Sequence, residues 1–575
     1  MTATYAVVAV ALVALTTLAI GAFGLRLSRT TSDFYVASRT VSPVLNASAI
    51  GGEYLSAASF LGVAGLVLAY GVDMLWFPIG YTAGYLVLLV LVAAPLRRSG
   101  AYTLPDFAEA RLESKTVRRV ASALVVLIGW LYLVPQLQGA GLTLRAVAGL
   151  PLWAGPVVVA VVVVLNVVAG GMRSITFVQA FQYWLKLTAI AVPLVFLVLA
   201  WRADGAPVVG RDASPTFRAD TTVRVETDTA VRLDRPVRVH VDGAVDGRVH
   251  DGAVRLDAGA HEVGRGAVLR FPAGSAVPHA EPLAGTTGEA WATPVGGARD
   301  RAHPLYSTYS LMLALFLGTM GLPHVLVRFY TNPDGPTARR TTLAVLVLLA
   351  VFYLAPTAYG VLGRLYTPEL LLTGRTDAVV LLLPERMVGG TAGAVLTAVV
   401  TAGAFAAFLS TSSGLAVSVA GVLSQDVLRG SVRGFRAGAV LAVAVPLGLA
   451  LVLTSLPLAD VVGLAFAVAA SSFCPLLLLG IWWRRLTDVG AVSGLVVGGT
   501  LATVALVSNV VGGNPDGWPG ALLAQPAAWT VPVSFAVMVA VSLATRSRVP
   551  AGAGRTLVRL HAPEDLALSD QAVHP

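Results

Sequence analysis

The sequence predicts an all-α polytopic membrane protein with about thirteen transmembrane helices and one small β-rich insertion outside the cell. Hydrophobic residues make up 56% of the 575 positions, and charged residues make up only 12%. Soluble domains carry about 25% charged residues, so this chain lacks the charge to coat several soluble domains. Apolar runs near the ~20 residues that span a bilayer recur along almost the whole chain.

Thirteen apolar runs have the length of a membrane span. They lie near residues 5–25, 44–70, 74–96, 121–144, 152–170, 174–201, 304–328, 341–363, 389–424, 437–457, 460–482, 490–511 and 527–545. The first run contains no Lys or Arg, and Arg26 and Arg29 follow it. This arrangement argues against a cleavable signal peptide and favours an N-terminus outside the cell.

The basic residues support the same orientation. With spans that alternate from an outside N-terminus, most short-loop cations fall on the cytoplasmic side, among them Arg97, Arg98, Arg118, Arg119, Arg339, Arg340, Arg484 and Arg485. The short outside loops hold Arg145, Arg364, Arg375 and Arg386. This bias follows the positive-inside rule and predicts a multi-pass cell-membrane protein with a cytoplasmic C-terminus. It also explains the net charge of +9, so the lipid bilayer is the expected partner and nucleic acid is not.

Residues 202–303 differ in composition from the rest of the chain. Short alternations such as Val-Arg-Val-His-Val, punctuated by Asp-Gly, are signals of strands and hairpins. The sequence therefore predicts a small extracytoplasmic β-rich domain. Its histidines show no metal-ligand spacing, and we expect the domain to be separable from the function of the membrane part.

Two predicted spans contain helix-breaking residues. The second span reads Gly51-Gly52-Glu53-Tyr54 in its interior, and the seventh places Gly318, Gly321, Pro323 and His324 close together. Gly and Pro weaken a helix, and backbone groups freed at membrane depth must face protein, water or a ligand. Since five spans separate the two segments, the helices run in opposite directions. Such a pair indicates the central site of a transporter built from inverted repeats.

This pattern divides the chain into six parts. We predict a first helix and cytoplasmic loop (1–43), a first repeat (44–201), the insertion (202–303), a second repeat (304–482), two further spans (483–545) and a cytoplasmic tail (546–575). Glycines 51 and 52 are expected to unwind the second span, although they could instead permit close helix contact.

Four consecutive hydroxyl residues lie within the ninth span, at Ser410, Thr411, Ser412 and Ser413. Such hydroxyls often bond back to a carbonyl one turn earlier. Four in one turn exceed that need, and hydroxyls together with unwound carbonyls would give a small hard cation the oxygen ligands it prefers.

The chain resembles the sodium:solute symporter family, and its acetate permease and monocarboxylate transporter branch in particular. The motifs that carry the resemblance are "SDFYVASRTVSP", "GEYLSAASFLGVAG", "GGMRSITFVQAFQYW", "GTMGLPHVLVRFYT" and "VGLAFAVAASSFCP". The resemblance implies a LeuT-like core of two inverted five-helix repeats. It also implies a sodium site formed by Gly52, Leu55, Ala407, Ser410 and Thr411. Gln179 stands where some members have an acidic residue, which argues against a second sodium ion.

The expected substrate is a small monocarboxylate such as acetate, propionate or pyruvate. Free amides and the positive dipole ends at broken helices suit a carboxylate. The candidate substrate-binding residues are Glu53, Tyr54, Ser56, Gln136, Thr319, Gly321 and His324. An ionised Glu53 would repel an anion, so it either pairs with a cation, for which Lys186 is the candidate, or is protonated and carries a proton. Lys186 could instead snorkel towards an interface.

Several functions are compatible with these observations. The favoured one is Na⁺-coupled symport of a monocarboxylate, and the alternatives are proton coupling or symport of a neutral or zwitterionic solute such as proline. A membrane sensor is disfavoured because only about thirty residues follow the last span, fewer than the ~100 of a typical domain. An enzyme is not expected, because the chain carries no nucleotide loop, zinc signature or nucleophile–base pair in a fitting context, and no cofactor beyond the coupling ion is predicted.

Overall fold

The computed structural model describes residues 2–25, 41–210, 215–225, 228–280, 288–294, 303–428, 431–453, 458–512 and 515–563. Most of the "SDFYVASRTVSP" motif lies outside these residues.

The α-helices, numbered in chain order, are α1 (Thr2–Leu25), α2 (Pro43–Tyr54), α3 (Val63–Tyr70), α4 (Trp76–Val87), α5 (Ala93–Arg98), α6 (Leu104–Leu112), α7 (Lys115–Ala148), α8 (Ala154–Ala203), α9 (Gly288–Ala292), α10 (Pro304–Thr319), α11 (Pro323–Val327), α12 (Gly335–Tyr366), α13 (Glu369–Thr373), α14 (Val379–Val388), α15 (Gly390–Asp426), α16 (Val432–Val452), α17 (Leu458–Trp482), α18 (Asp488–Val511), α19 (Trp518–Ala524), α20 (Ala527–Ala544) and α21 (Ala553–His561).

Within the described residues, eleven helical segments are long and apolar enough to cross a membrane. Each of the thirteen predicted spans overlaps helix within the described residues, and the difference in number arises at two places, where neighbouring predicted spans are joined. The segment Ala58–Arg98 holds 41 residues, about 60 Å at 1.5 Å per residue, or twice a bilayer core. Its helix α3 ends at Tyr70, and the next residue, Gly71, has a φ of +79°, which favours glycine. Similarly, α8 combines the shorter apolar segment Ala154–Gly170 with the span Met172–Ala203.

Helix α15 forms the centre of the bundle. It packs against α8, α7, α16 and α1, and nearly all of its residues from Gly393 to Ser424 are buried. Small residues such as Gly, Ala and Ser recur along α15 and let the neighbouring helices approach it closely on all sides. The hydroxyl turn at Ser410 therefore lies in the interior of the bundle, away from lipid.

The predicted β-rich insertion is confirmed as a seven-stranded sheet. Its strands are β1 (Thr221–Arg224), β2 (Thr229–Leu233), β3 (Val237–Val245), β4 (Arg248–Leu256), β5 (Gly259–Val263), β6 (Val268–Phe271) and β7 (His279–Ala280). The order is β1-β6-β3-β5-β2-β7, with β4 paired to β3. In β3 the valines are buried while Arg238, His240 and Asp242 are exposed, as expected for a strand with one covered face.

The insertion is attached to the membrane bundle through Trp291 in α9. The indole Nε1 donates a hydrogen bond to the carbonyl of Val67, at 2.8 Å, near the end of α3. The guanidinium of Arg364 in α12 lies 5.8 Å from the indole ring centre and donates to Leu68 O. Because α3 continues one of the two interrupted spans, this contact joins the insertion to a functional part of the fold.

We predict that Trp291→Phe lowers the stability of the purified protein. The change removes an indole donor and part of a buried ring, which together cost about 1–2 kcal/mol. Thermal unfolding in detergent, followed by fluorescence, measures the effect. Trp153→Phe is the control, since that ring is 58% exposed, and it should leave the midpoint unchanged. Equal midpoints for the two variants would contradict the anchoring role of Trp291.

Candidate functional site

The first helix break lies one turn later than predicted. Helix α2 runs through Gly51 and Gly52 to Tyr54, and the chain leaves helical geometry at Leu55, with φ −74° and ψ 87°. The predicted unwinding at the two glycines is therefore wrong. Both glycines serve close packing against α8, because a Cβ atom on Gly52 would lie 2.2 Å from the carbonyl oxygen of Gln179. The second span is nonetheless broken, and it resumes helical structure at a π-helical turn, Ala58–Gly62.

The second break confirms the prediction. Helix α10 ends at Thr319 and α11 begins at Pro323, so residues 320–322 are not helical. Proline suits the first turn of a helix because the amide it lacks has no partner there. Gly321 is packed tightly, since a Cβ atom would lie 2.3 Å from the carbonyl oxygen of Ala469 in α17.

Direct hydrogen bonds join the two breaks. The Tyr54 hydroxyl lies 2.8 Å from the Thr319 hydroxyl, which also donates to Leu315 O. The side-chain amide oxygen of Gln136 in α7 accepts a hydrogen bond of 2.8 Å from Ala57 N, where the broken span restarts. The Ser56 and Tyr132 hydroxyls are also hydrogen-bonded. The structure thus brings Tyr54, Ser56, Gln136 and Thr319 together, as the sequence predicts.

Buried polar atoms without a partner lie beside these bonds. Within the described residues, neither ring nitrogen of His324 has a hydrogen-bond partner, and the same holds for the hydroxyls of Tyr81 and Tyr85. The rings belong to one aromatic cluster: Tyr132 lies 5.2 Å from His324, and Tyr54 lies 4.9 Å from Tyr85. Phe466 contacts both Tyr132 and Tyr54. Buried polar groups are nearly always satisfied, so these atoms are available to a bound solute.

The charge of Glu53 is balanced by Arg328. The Arg328 Nε atom donates to Glu53 Oε2 at 2.7 Å, and both side chains are 1% exposed. The other guanidinium nitrogens donate to the hydroxyl of Thr176, at 2.8 Å, and to the amide oxygen of Gln179. The predicted pairing of Glu53 with Lys186 is therefore corrected. Sequence reasoning missed Arg328, although an arginine inside an apolar span was a usable signal.

Three of the five predicted sodium ligands contact the side chain of Lys186. Its Nζ atom donates to the carbonyl oxygens of Gly52 and Leu55, the latter at 2.8 Å, and to the Ser410 hydroxyl at 2.8 Å. Ser410 Oγ lies 3.1 Å from Ala407 O. The Thr411 hydroxyl donates to Glu53 O at 2.6 Å. Lys186 is fully buried, so the snorkelling alternative is wrong.

These contacts decide whether the ligand set fits Na⁺. Four of the five predicted ligands, those of Gly52, Leu55, Ala407 and Ser410, lie together, which is the arrangement that a cation needs. However, three of them already accept hydrogen bonds from the ammonium group of Lys186. With Lys186 in this position, the residues present do not fit a sodium ion.

Two cavities lie along α7 in the bundle. One is lined by Leu61, Tyr70, Thr143 and Asp460, and the other by Val125, Pro323 and Val327. Thr143 and Val125 are both in α7, about 27 Å apart at 1.5 Å per residue. The side chains of Tyr54, Ser56, Gln136 and Thr319 at the breaks are themselves buried.

Two interrupted spans of opposite direction, joined by a buried polar cluster, define a secondary active transporter. A sequence profile of the sodium:solute symporter family matches residues 34–210 and 286–498. The chain belongs to this family, and the family resemblance predicted from the motifs is confirmed. The matched ranges cover both broken segments and leave out most of the β insertion.

Individual relatives and solved structures agree with this assignment. An uncharacterized symporter of Bacillus subtilis is 30% identical over 90% of this chain and 90% of its own length. A monocarboxylic acid transporter of Corynebacterium glutamicum is 29% identical over 89% of this chain and 86% of its own. A Na⁺-coupled sialic acid symporter shares the fold with a TM-score of 0.59, at 14% identity, over 93% of this chain and 98% of its own. The predicted LeuT-like fold is thereby confirmed.

We predict that Arg328→Met is severely destabilising and that Glu53→Gln in the same chain restores much of the loss. Removal of one partner leaves an unpaired buried charge, at a cost of about 3–5 kcal/mol, whereas removal of both charges avoids it. Yield and thermal unfolding of the single and double variants measure the coupling. Arg548→Met is the control, because its pair with Asp488 is at the surface and should contribute little. Additive effects of the two substitutions would contradict the pairing.

Proposed function

We propose that this protein is a cell-membrane symporter that takes up a small monocarboxylate, such as acetate, propionate or pyruvate, together with a cation. Family membership supports the coarser part of this statement, namely secondary active symport of a small molecule and no enzymatic activity. The finer part concerns the substrate. The balance of buried charge around the broken helices is the observation that carries it.

When Lys186, Arg328 and Glu53 are all ionised, their buried network carries more positive than negative charge. Arg328 and Lys186 each contribute one positive charge, Glu53 contributes one negative charge, and all three are at most 1% exposed. One positive charge is therefore in excess when each group is ionised. An uncompensated charge away from water is costly, so an anion bound nearby would be stabilised. A neutral solute would leave this excess unchanged, which favours an anionic substrate.

The neighbouring groups suit a small carboxylate. His324, Tyr81 and Tyr85 offer buried polar atoms that other described residues do not use. Residues 320–322 lie between the end of α10 and the start of α11 and are not helical, so backbone groups at the two helix ends fall outside the regular hydrogen-bond pattern. The rings of Tyr54, Tyr132 and Phe466 provide apolar surface for a short alkyl group.

One relative points to the same class of substrate. The protein of Corynebacterium glutamicum that aligns with 89% of this chain is described as a monocarboxylic acid transporter. We extend that substrate class to this chain because the excess positive charge suits an anion. The sequence allows either Na⁺ or H⁺ as the coupling ion. Uptake is therefore measured with an imposed Na⁺ gradient and, separately, with an imposed H⁺ gradient.

The deciding experiment is uptake by purified protein in liposomes. Labelled pyruvate is a better probe than acetate, because undissociated acetic acid crosses bilayers without a carrier. Protein-free liposomes give the blank, and unlabelled acetate, propionate and proline serve as competitors. We expect acetate and propionate to compete and proline not to compete. Competition by proline alone would contradict the proposed substrate class.

We predict that His324→Phe raises the KM for pyruvate. Phenylalanine retains an aromatic ring beside Tyr132 but cannot donate a hydrogen bond to a carboxylate. The loss of one buried polar partner costs about 1–3 kcal/mol, which corresponds to roughly a ten- to hundredfold weaker affinity. Initial uptake rates over a range of pyruvate concentrations give the KM. His303→Phe is the control, since His303 stacks on Trp518 and lies outside the site, and an unchanged KM for His324→Phe would remove this histidine from the substrate site.

A further inference from the structure

We propose that the ammonium group of Lys186 is a built-in cation that takes the place of Na⁺ at the site formed by Gly52, Leu55, Ala407 and Ser410. This inference goes beyond the proposed function and does not depend on the identity of the substrate. It follows that this site does not bind Na⁺ in the native protein, although the family resemblance implies that it should.

The hydrogen bonds of Lys186 are the first argument. An ammonium group has three N–H donors and no acceptor. Nζ contacts three oxygen acceptors, the carbonyls of Gly52 and Leu55 and the hydroxyl of Ser410. Each donor therefore has one acceptor, and each of these acceptors belongs to the set predicted for sodium. The match in number and position is what a stable resident cation requires.

The carbonyl geometry is the second argument. Leu55 lies at the helix break, where its carbonyl is free of the regular helical pattern. A carbonyl freed at membrane depth needs a donor or a cation, and Lys186 supplies both. The carboxylate of Glu53 is paired with Arg328 at 2.7 Å. Carbonyl and hydroxyl dipoles therefore solvate the Lys186 charge, as they would solvate a monovalent metal ion.

The helix that carries Lys186 supports the same conclusion. Thr176, Gln179 and Lys186 are spaced by three and seven residues along α8, which places them on one face of the helix. Thr176 and Gln179 contact Arg328, and Gln179 also donates to the Ser410 carbonyl at 2.8 Å. The side chain of Lys186 is therefore directed inward by neighbours that are themselves held in place.

A sodium ion and the ammonium group cannot share this site. Both are monovalent cations, and at a separation of a few ångströms away from water their repulsion is large. The three acceptors that Lys186 uses would also have to be divided between two cations. Native Lys186 therefore excludes Na⁺, and a shortened side chain should admit it.

The test is equilibrium binding of ²²Na⁺ to the purified full-length protein in choline-based buffer. We expect no saturable Na⁺ binding that depends on Ser410 in the parent protein. We expect Lys186→Ala to gain saturable binding, because the substitution leaves space and unsatisfied oxygens. Ser410→Ala added to Lys186→Ala should weaken this acquired affinity about tenfold or more, whereas Ser413→Ala should not change it. Stabilisation by NaCl relative to choline chloride gives a second readout without transport.

Two results would overturn the proposal. The first is saturable Na⁺ binding to the parent that Ser410→Ala weakens, and this measurement requires no variant of Lys186. The second is a folded Lys186→Ala protein that does not bind Na⁺. If Lys186→Ala does not fold, Lys186→Gln is the second variant, because it removes the charge while its amide NH₂ group still has donors for the carbonyls. The substrate proposal is unaffected by either result, since pyruvate uptake and competition are measured separately.

Discussion

The buried ion pair between Glu53 and Arg328 holds together the two interrupted spans on which the site depends. Glu53 is near the end of α2, and Arg328 follows α11, so the 2.7 Å contact links the two breaks directly. The remaining guanidinium nitrogens bind Thr176 and Gln179 and thereby include α8 in the same unit. Because neither charge is solvated, each is acceptable only with the other in place.

The packing around this pair is correspondingly restrictive. Gly414 in α15 leaves room for the carboxylate, since a Cβ atom there would lie 2.0 Å from Glu53 Oε1. Gly52 allows the backbone of α8 to approach α2 closely. Small residues therefore bring three helices close enough for their polar groups to meet. The polar network depends on this close packing, because a larger side chain at Gly52 or Gly414 would occupy the space that the neighbouring polar groups fill.

The two proposals share one premise, a positively charged interior in which Lys186 is protonated. We propose that Lys186 supplies a cation that does not leave the protein, while Arg328 pairs with Glu53. The free ring nitrogens of His324 and the hydroxyls of Tyr81 and Tyr85 lie among aromatic rings close to both breaks. The β insertion contacts one of the two interrupted spans through the hydrogen bond from Trp291 to Val67 in α3.

The sequence by itself determined the helical membrane fold, the β-rich insertion and the location of the second helix break. Hydrophobic run length, strand alternation and the position of Pro323 are local signals, so no tertiary contact was needed. It also placed Tyr54, Gln136 and Thr319 near one another, because inverted repeats bring interrupted spans together.

Only the tertiary structure decided which cation pairs with Glu53 and what occupies the predicted sodium ligands. The true partner, Arg328, is 275 residues away from Glu53, and Lys186 is 224 residues away from Ser410. Gly51 and Gly52 have the composition of a break, but α8 packs against them and keeps them helical. Such pairings depend on where the helices lie against each other, which no local pattern specifies.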